Sequence, residues 1–150
     1  MKKKYIICDY ARANWGKTET LLEVINILDD SSNPQFTLSD EKSHGDGKDR
    51  WCLFCSNDKK IVVSTIGDPN SVQPIWLEDA AKAGADIIVA ASRTSGSTVN
   101  AVYDVATRHG YEIIWFQNFH IDNSKILNMQ PMTDVRRTAA KCIVKIIDIL

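Results

Sequence analysis

The sequence predicts an α/β fold: a three-layer sandwich with a mostly parallel sheet and an added hairpin strand, in one domain over residues 1–150. Three observations carry that prediction. Nearly continuous apolar runs at Tyr5–Tyr10, Ile61–Ile66, Ala85–Ala91 and Tyr111–Phe116 have the composition of strands buried on both faces. Between them lie segments whose apolar residues recur three and four apart, the period of helices laid on a sheet. The first three runs end in loops of small residues, and an α/β sheet places its chemistry at such carboxyl ends.

The elements follow in order. After the first strand, Thr18 to Leu28 carries Leu21, Leu22, Val24, Ile25 and Leu28 as one helical stripe, and the turn residues 29–34 end it. A short strand over Gln35–Leu38 follows. Residues 39–50 are polar, hold two glycines and lack any apolar side chain, which predicts an exposed, mobile loop. That loop reads either as a solvated connector or as a lid that orders over phosphates, with His44 at its surface. Trp51–Ser56 and Lys59–Ile66 flank Asn57-Asp58, a tight-turn pair, and predict a hairpin.

Val72–Ala83 is a helical pattern ended by Gly84, and the hydroxyl-rich stretch Ser92–Thr98 opens a helix reaching His109, with Gly110 as its cap. Thr133 is expected to cap a last helix running to Leu150, with Asp134 in its first turn. Val135, Ala139, Ile143, Ile146 and Ile147 lie along one side of that helix, which predicts packing on the second face of the sheet rather than on a membrane.

Charge and cysteine usage exclude several classes. With 18 basic and 19 acidic residues the formal net charge is −1, so no global basic field points to nucleic acid. No apolar run approaches the roughly 20 residues of a membrane span. Lys2-Lys3-Lys4 precedes only four apolar residues, too few for a secretory leader, so a cytoplasmic protein is expected. Cys52 and Cys55 have C-x-x-C spacing, but the chain has no second such pair for zinc, and a strand sends them to opposite faces. They read as structural thiols.

The stretch richest in chemistry is residues 5–22, where a strand, a short loop and Gly16-Lys17-Thr18 open the first helix. Ala11 to Thr18 matches the phosphate-loop pattern G-x-x-x-x-G-K-[ST] at every specified position except the first, where Ala11 stands for Gly. Amides at residues 13–18 would face an anion at the positive end of a helix. Lys17 would reach the terminal phosphates and the Thr18 hydroxyl would bind Mg²⁺. Candidate nucleotide contacts are therefore Arg12, Ala13, Asn14, Trp15, Gly16, Lys17, Thr18 and Glu19. The bland alternative is a plain helix start capped by Thr18 or Asn14.

On these residues the chain resembles the phosphate-loop NTPase superfamily. Its loop is similar to the deviant form of ParA/MinD-type partition and septum-site ATPases and nitrogenase iron protein, G-K-G-G-x-G-K-[ST]. The gapless alignment sets Arg12 at that family's signature lysine, which reaches the nucleotide of a partner subunit, so the resemblance implies a homodimer or protein partner. It also implies an acid at the end of the third core strand, where Ser64 stands in this chain. Asp68 is then the nearest candidate to bind Mg²⁺ through water, with Asp9 as another. Asp68-Pro69 reads equally well as a helix N-cap followed by proline.

Arg93, in the loop after another strand, is suited to a second phosphate or to transferred charge. The superfamily usually holds the base after the last core strand, so Asn118 is a candidate base contact and Phe119 a stacking partner. The expected function is ATP or GTP binding with Mg²⁺, as an NTPase in which Lys17, Asp68 and Arg93 act at the reacting phosphates and Thr18 and Asp68 hold the metal. The alternatives are a small kinase with an acceptor near Arg93 and Ser95, and a non-catalytic nucleotide or phosphate sensor.

Overall fold

The computed structural model describes residues 2–13, 15–32, 35–118 and 130–150. Its elements run β1 (Lys4–Tyr10), α1 (Lys17–Leu28), β2 (Thr37–His44), β3 (Asp49–Cys55), β4 (Lys60–Ser64), α2 (Gln73–Lys82), β5 (Ile87–Ser92), α3 (Ser97–His109), β6 (Tyr111–Phe116) and α4 (Gln130–Ile149). The six strands form one mixed sheet in the order β2-β3-β4-β5-β1-β6. β4, β5, β1 and β6 are mutually parallel, and β3 joins them antiparallel to β4.

The four parallel strands are the apolar runs of the sequence, and alternation divides their side chains between two cores. Ile6, Cys8, Val62, Ile88 and Ala90 pack under α2 and α3, with Trp76, Leu77, Val102 and Val105. Ile7, Val63, Val89 and Ala91 pack under α1 and α4, with Leu21, Val24, Ile25, Ala140, Ile143 and Ile147. The α/β fold with helices on both faces of a mostly parallel sheet is thus observed. Among the described residues, no helix is long and apolar enough to cross a membrane.

Two expectations are corrected. Residues 39–44 are not a mobile loop but most of β2, paired with β3 from Thr37↔Cys55 to His44↔Asp49. Only Gly45–Lys48 turns, with positive φ at Gly45, Asp46 and Gly47. The physical reason is position: β2 is an edge strand with mostly exposed side chains, so it shows no apolar alternation to read. Lys42 anchors it, with Nζ 2.6 Å from Asp79 Oδ2 and 4.6 Å from the centre of the Trp51 ring. The lid reading lapses with this pairing.

The second correction concerns α4, which runs from Gln130, so Thr133 lies inside its first turn rather than at its N-cap. Proline is tolerated in a first turn because the amide it lacks has no intrahelical partner there, so Pro131 sets no boundary. The hairpin at Asn57-Asp58, by contrast, closes as expected through the Ser56 amide on the Lys59 carbonyl at 2.9 Å.

Candidate functional site

The order of the parallel strands creates a crevice. α1 leaves β1 over one face of the sheet and α3 leaves the neighbouring β5 over the other. Such a switch point is where open α/β sheets bind ligands. Tyr10 is in register with Ser92, and the Ala11 amide donates to the Ser92 carbonyl at 3.1 Å. The loops after β1 and β5 therefore leave the sheet side by side.

Gly16 ends the first loop with φ +82°, the left-handed region, and serves as the N-cap of α1. Among the described residues no side chain, Thr18 included, bonds at that cap position, and Asn14, the other expected cap, lies outside them. Lys17 folds back under the loop, and its Nζ donates to the Ala11 carbonyl at 2.6 Å and the Arg12 carbonyl at 3.2 Å. Burial pushes its ammonium below the usual value, Arg93 acts in the same sense, and Asp9 opposes them.

Asp9 lies beneath the same loop, fully buried. Burial raises its carboxyl from 3.8 to about 7, against the lowering influence of Lys17 and of the Asn118 backbone amide. Neither carboxyl oxygen closes a hydrogen bond of normal geometry among the described residues. Cys8, one residue earlier on the opposite face, is held as a thiol by burial, which pushes it up to about 12.

The rim is cationic. Arg12 and Ala13 are exposed, Trp15 and Thr18 half-buried, and Glu19 exposed. Asn14 lies outside the described residues, as do Phe119 and His120. Arg93 reaches Asp68 across the mouth of the crevice, Nη2 to Oδ1 at 3.2 Å, and its Nε is buried without a partner among the described residues. Asp68 caps no helix: α2 starts five residues later at Gln73, with Val72 as N-cap. Its carboxylate is largely exposed and paired with Arg93 rather than turned onto a metal site. Among the described residues, no three His, Cys, Asp or Glu side chains cluster as a metal site. Mg²⁺ held mainly by phosphates needs only one or two protein oxygens, for which Thr18 is the candidate left by this geometry.

Asn118 is buried, and its Nδ2 donates to the Trp15 carbonyl at 3.2 Å. It therefore steadies the loop after β1 from the end of β6, and its buried Oδ1 has no partner among the described residues. Ser64 closes β4 as a buried side chain on the α2/α3 face, with no partner for its Oγ among the described residues.

Two participants escaped the sequence. Arg136 of α4 lies against the loop, so close that a Cβ on Gly16 would come within 2.5 Å of its Nε. Its position beside the apolar stripe of α4 was the available signal, but nothing in one sequence tells which helix crosses the loop. Gln73, fully buried, donates from Nε2 to the Ala91 carbonyl at 3.1 Å and the Thr98 carbonyl at 3.0 Å. It ties the starts of α2 and α3 to β5. Gln73→Leu should cost about 1–3 kcal/mol in urea unfolding, because both carbonyls lose a buried donor; a change below about 0.5 kcal/mol would mean that water replaces the amide.

No protein-family model matches the sequence, and no curated protein does. Among solved structures, that of EndoMS in apo form is similar at 13% identity and a TM-score of 0.34, over 65% of this chain and 46% of that one. The chain thus spans less than half the length of that protein, and a likeness at this level assigns neither fold family nor activity.

Proposed function

We propose that the protein binds the polyphosphate of a nucleoside triphosphate, ATP or GTP, with Mg²⁺ at residues 11–18, in a phosphate-loop NTPase-like fold. The observation that carries this reading is Lys17: a buried ammonium folded under a loop that ends in a left-handed glycine, at the sheet's switch point. A lysine costs free energy to bury, and here it sits beside the N-terminus of a 12-residue helix with Arg12, Arg93 and Arg136 around it. Such a concentration of positive charge and helix-end amides suits a polyphosphate better than any neutral ligand.

In an NTPase, Lys17 and the loop amides would hold the β- and γ-phosphates, Thr18 the metal, and Arg93 the charge that develops on transfer. Binding would first have to part Arg93 from Asp68, an exposed pair worth at most about 1 kcal/mol. The four cysteines are unpaired, which accords with a reducing compartment, and we place the protein in the cytoplasm. A second copy of the chain is the partner that Arg12 would serve.

Isothermal titration with ATP, GTP and ADP, with and without Mg²⁺, tests the reading. We expect a triphosphate to bind with Kd below about 0.1 mM, and Lys17→Ala to weaken it at least about tenfold through loss of a charged hydrogen-bond donor. Binding no tighter than about 1 mM, or an unchanged affinity in Lys17→Ala, would overturn it. Phosphate release then decides among activities: release in buffer marks an NTPase, transfer only to an added acceptor a kinase, and binding alone a sensor. The kinase reading has its own support in a cavity beside Arg93 and Ser95.

A further inference from the structure

Two cavities open beside the phosphate loop toward α3 and share Thr94 as a common wall. The first, ≈ 300 Å³, runs between Arg12 and the turn from Arg93 to Thr98. Its chemistry is anionophilic: two arginines, the hydroxyls of Ser95 and Ser97, and the start of α3, whose N-cap is Gly96 and provides no side-chain cap. The Arg93 backbone amide donates to the Thr98 hydroxyl at 2.9 Å, which fixes the turn.

The second cavity, ≈ 260 Å³, is walled by Tyr10, Val99, Tyr103 and Trp115. The Trp115 ring meets Tyr10 edge-on at 5.4 Å between centroids and Tyr103 at a tilt at 5.5 Å. Tyr103 is 51% exposed, so the cluster presents aromatic surface to solvent instead of filling the core. An aromatic wall of this kind takes a planar ring. A cationic hollow adjoining it takes the phosphate of the same molecule.

We propose that the two cavities form one site for a phosphorylated aromatic heterocycle of the mononucleotide class. Its phosphate lies against Arg12 and Arg93, and its ring against Trp115 and Tyr103. Only its role as a second-ligand site, next to a triphosphate, rests on the function proposed above; the binding itself depends on different side chains, Arg12 and Arg93 excepted. Together the cavities reach the size range of small-molecule sites. The Asp68 pairing of Arg93 is exposed and therefore weak and screened, so an incoming phosphate can displace it.

The test is isothermal titration of the whole chain with AMP and GMP, with adenosine and inorganic phosphate as the two half-ligands. The monophosphates should bind with Kd below about 1 mM, and each half-ligand at least about tenfold more weakly. Tyr103→Ala and Arg93→Gln should each weaken AMP about tenfold, through lost stacking and lost charge respectively. Binding should persist in Lys17→Ala, or in Lys17→Met if the alanine variant fails to fold by circular dichroism. The inference is overturned if the monophosphates bind no tighter than phosphate, or if Tyr103→Ala or Arg93→Gln leaves AMP affinity unchanged. It is equally overturned if the Lys17 variant abolishes binding. A chain that binds ATP through Lys17 but no monophosphate sinks this site and keeps the triphosphate reading; the opposite pattern does the reverse.

Discussion

Asp9→Asn stabilises the protein above neutral pH by up to about 4 kcal/mol and flattens its stability between about pH 4 and pH 7. The sign follows from which state holds the proton. Asp9 titrates at about 7 when folded and near 3.8 when exposed, so between those values the native chain keeps a proton that the unfolded chain has released. Its stabilising contribution is complete below about pH 4 and is lost as pH rises through 7. Above that, an ionised carboxylate is buried without a closed hydrogen bond, and the amide of asparagine relieves that cost while keeping the shape.

Urea unfolding of both proteins at pH 4 and pH 8 measures the effect: the variants should nearly converge at the lower pH and diverge at the higher. Equal pH dependence in the two would show that Lys17 and the Asn118 amide neutralise Asp9 completely. The same substitution bears on the site, because Asp9 is the first of the charges that oppose the lowering of Lys17, ahead of Asp68. A native protein that tolerates this cost beneath the loop after β1 places the unfavourable group at the site where we propose that ligand binds.

The parallel strands were legible because burial on both faces demands unbroken apolar runs, and β1, β5 and β6 match those runs within two residues. α1 was legible from its stripe and α3 from its hydroxyl-rich start and from Gly110, which takes the left-handed cap, φ +77°. β2 was not, since a strand at the sheet edge is specified by its partner rather than by its own side chains. At the site, the loop from Ala11 to Thr18 could be read from a linear motif, and its supports could not. Asp9 looked like a possible metal acid on position alone, whereas burial makes it a proton-binding group under the lysine. Asn118 was read as a candidate base contact, and the structure shows its amide holding Trp15, a contact set by where β6 ends relative to β1.

Gly67→Ala destabilises the chain by about 3 kcal/mol, near the upper end of overpacking costs. A Cβ there would lie 2.7 Å from Ala91 Cβ, 2.9 Å from the Ala91 carbonyl carbon and 3.1 Å from its oxygen. None of these can retreat easily. Ala91 is paired with Asp9 in the centre of the sheet, and its carbonyl is held by Gln73. The loop from Ser64 to Asp68 would have to move instead, carrying Asp68 away from Arg93 and opening the mouth of the crevice. Ala91→Gly introduced beside Gly67→Ala removes the Cβ clash but leaves the carbonyl contacts, so it should restore only part of the loss. Urea unfolding of the two single variants and the double variant measures that coupling. Full restoration would locate the strain in the two side chains alone, and a loss below about 0.5 kcal/mol in Gly67→Ala would show that the loop yields freely.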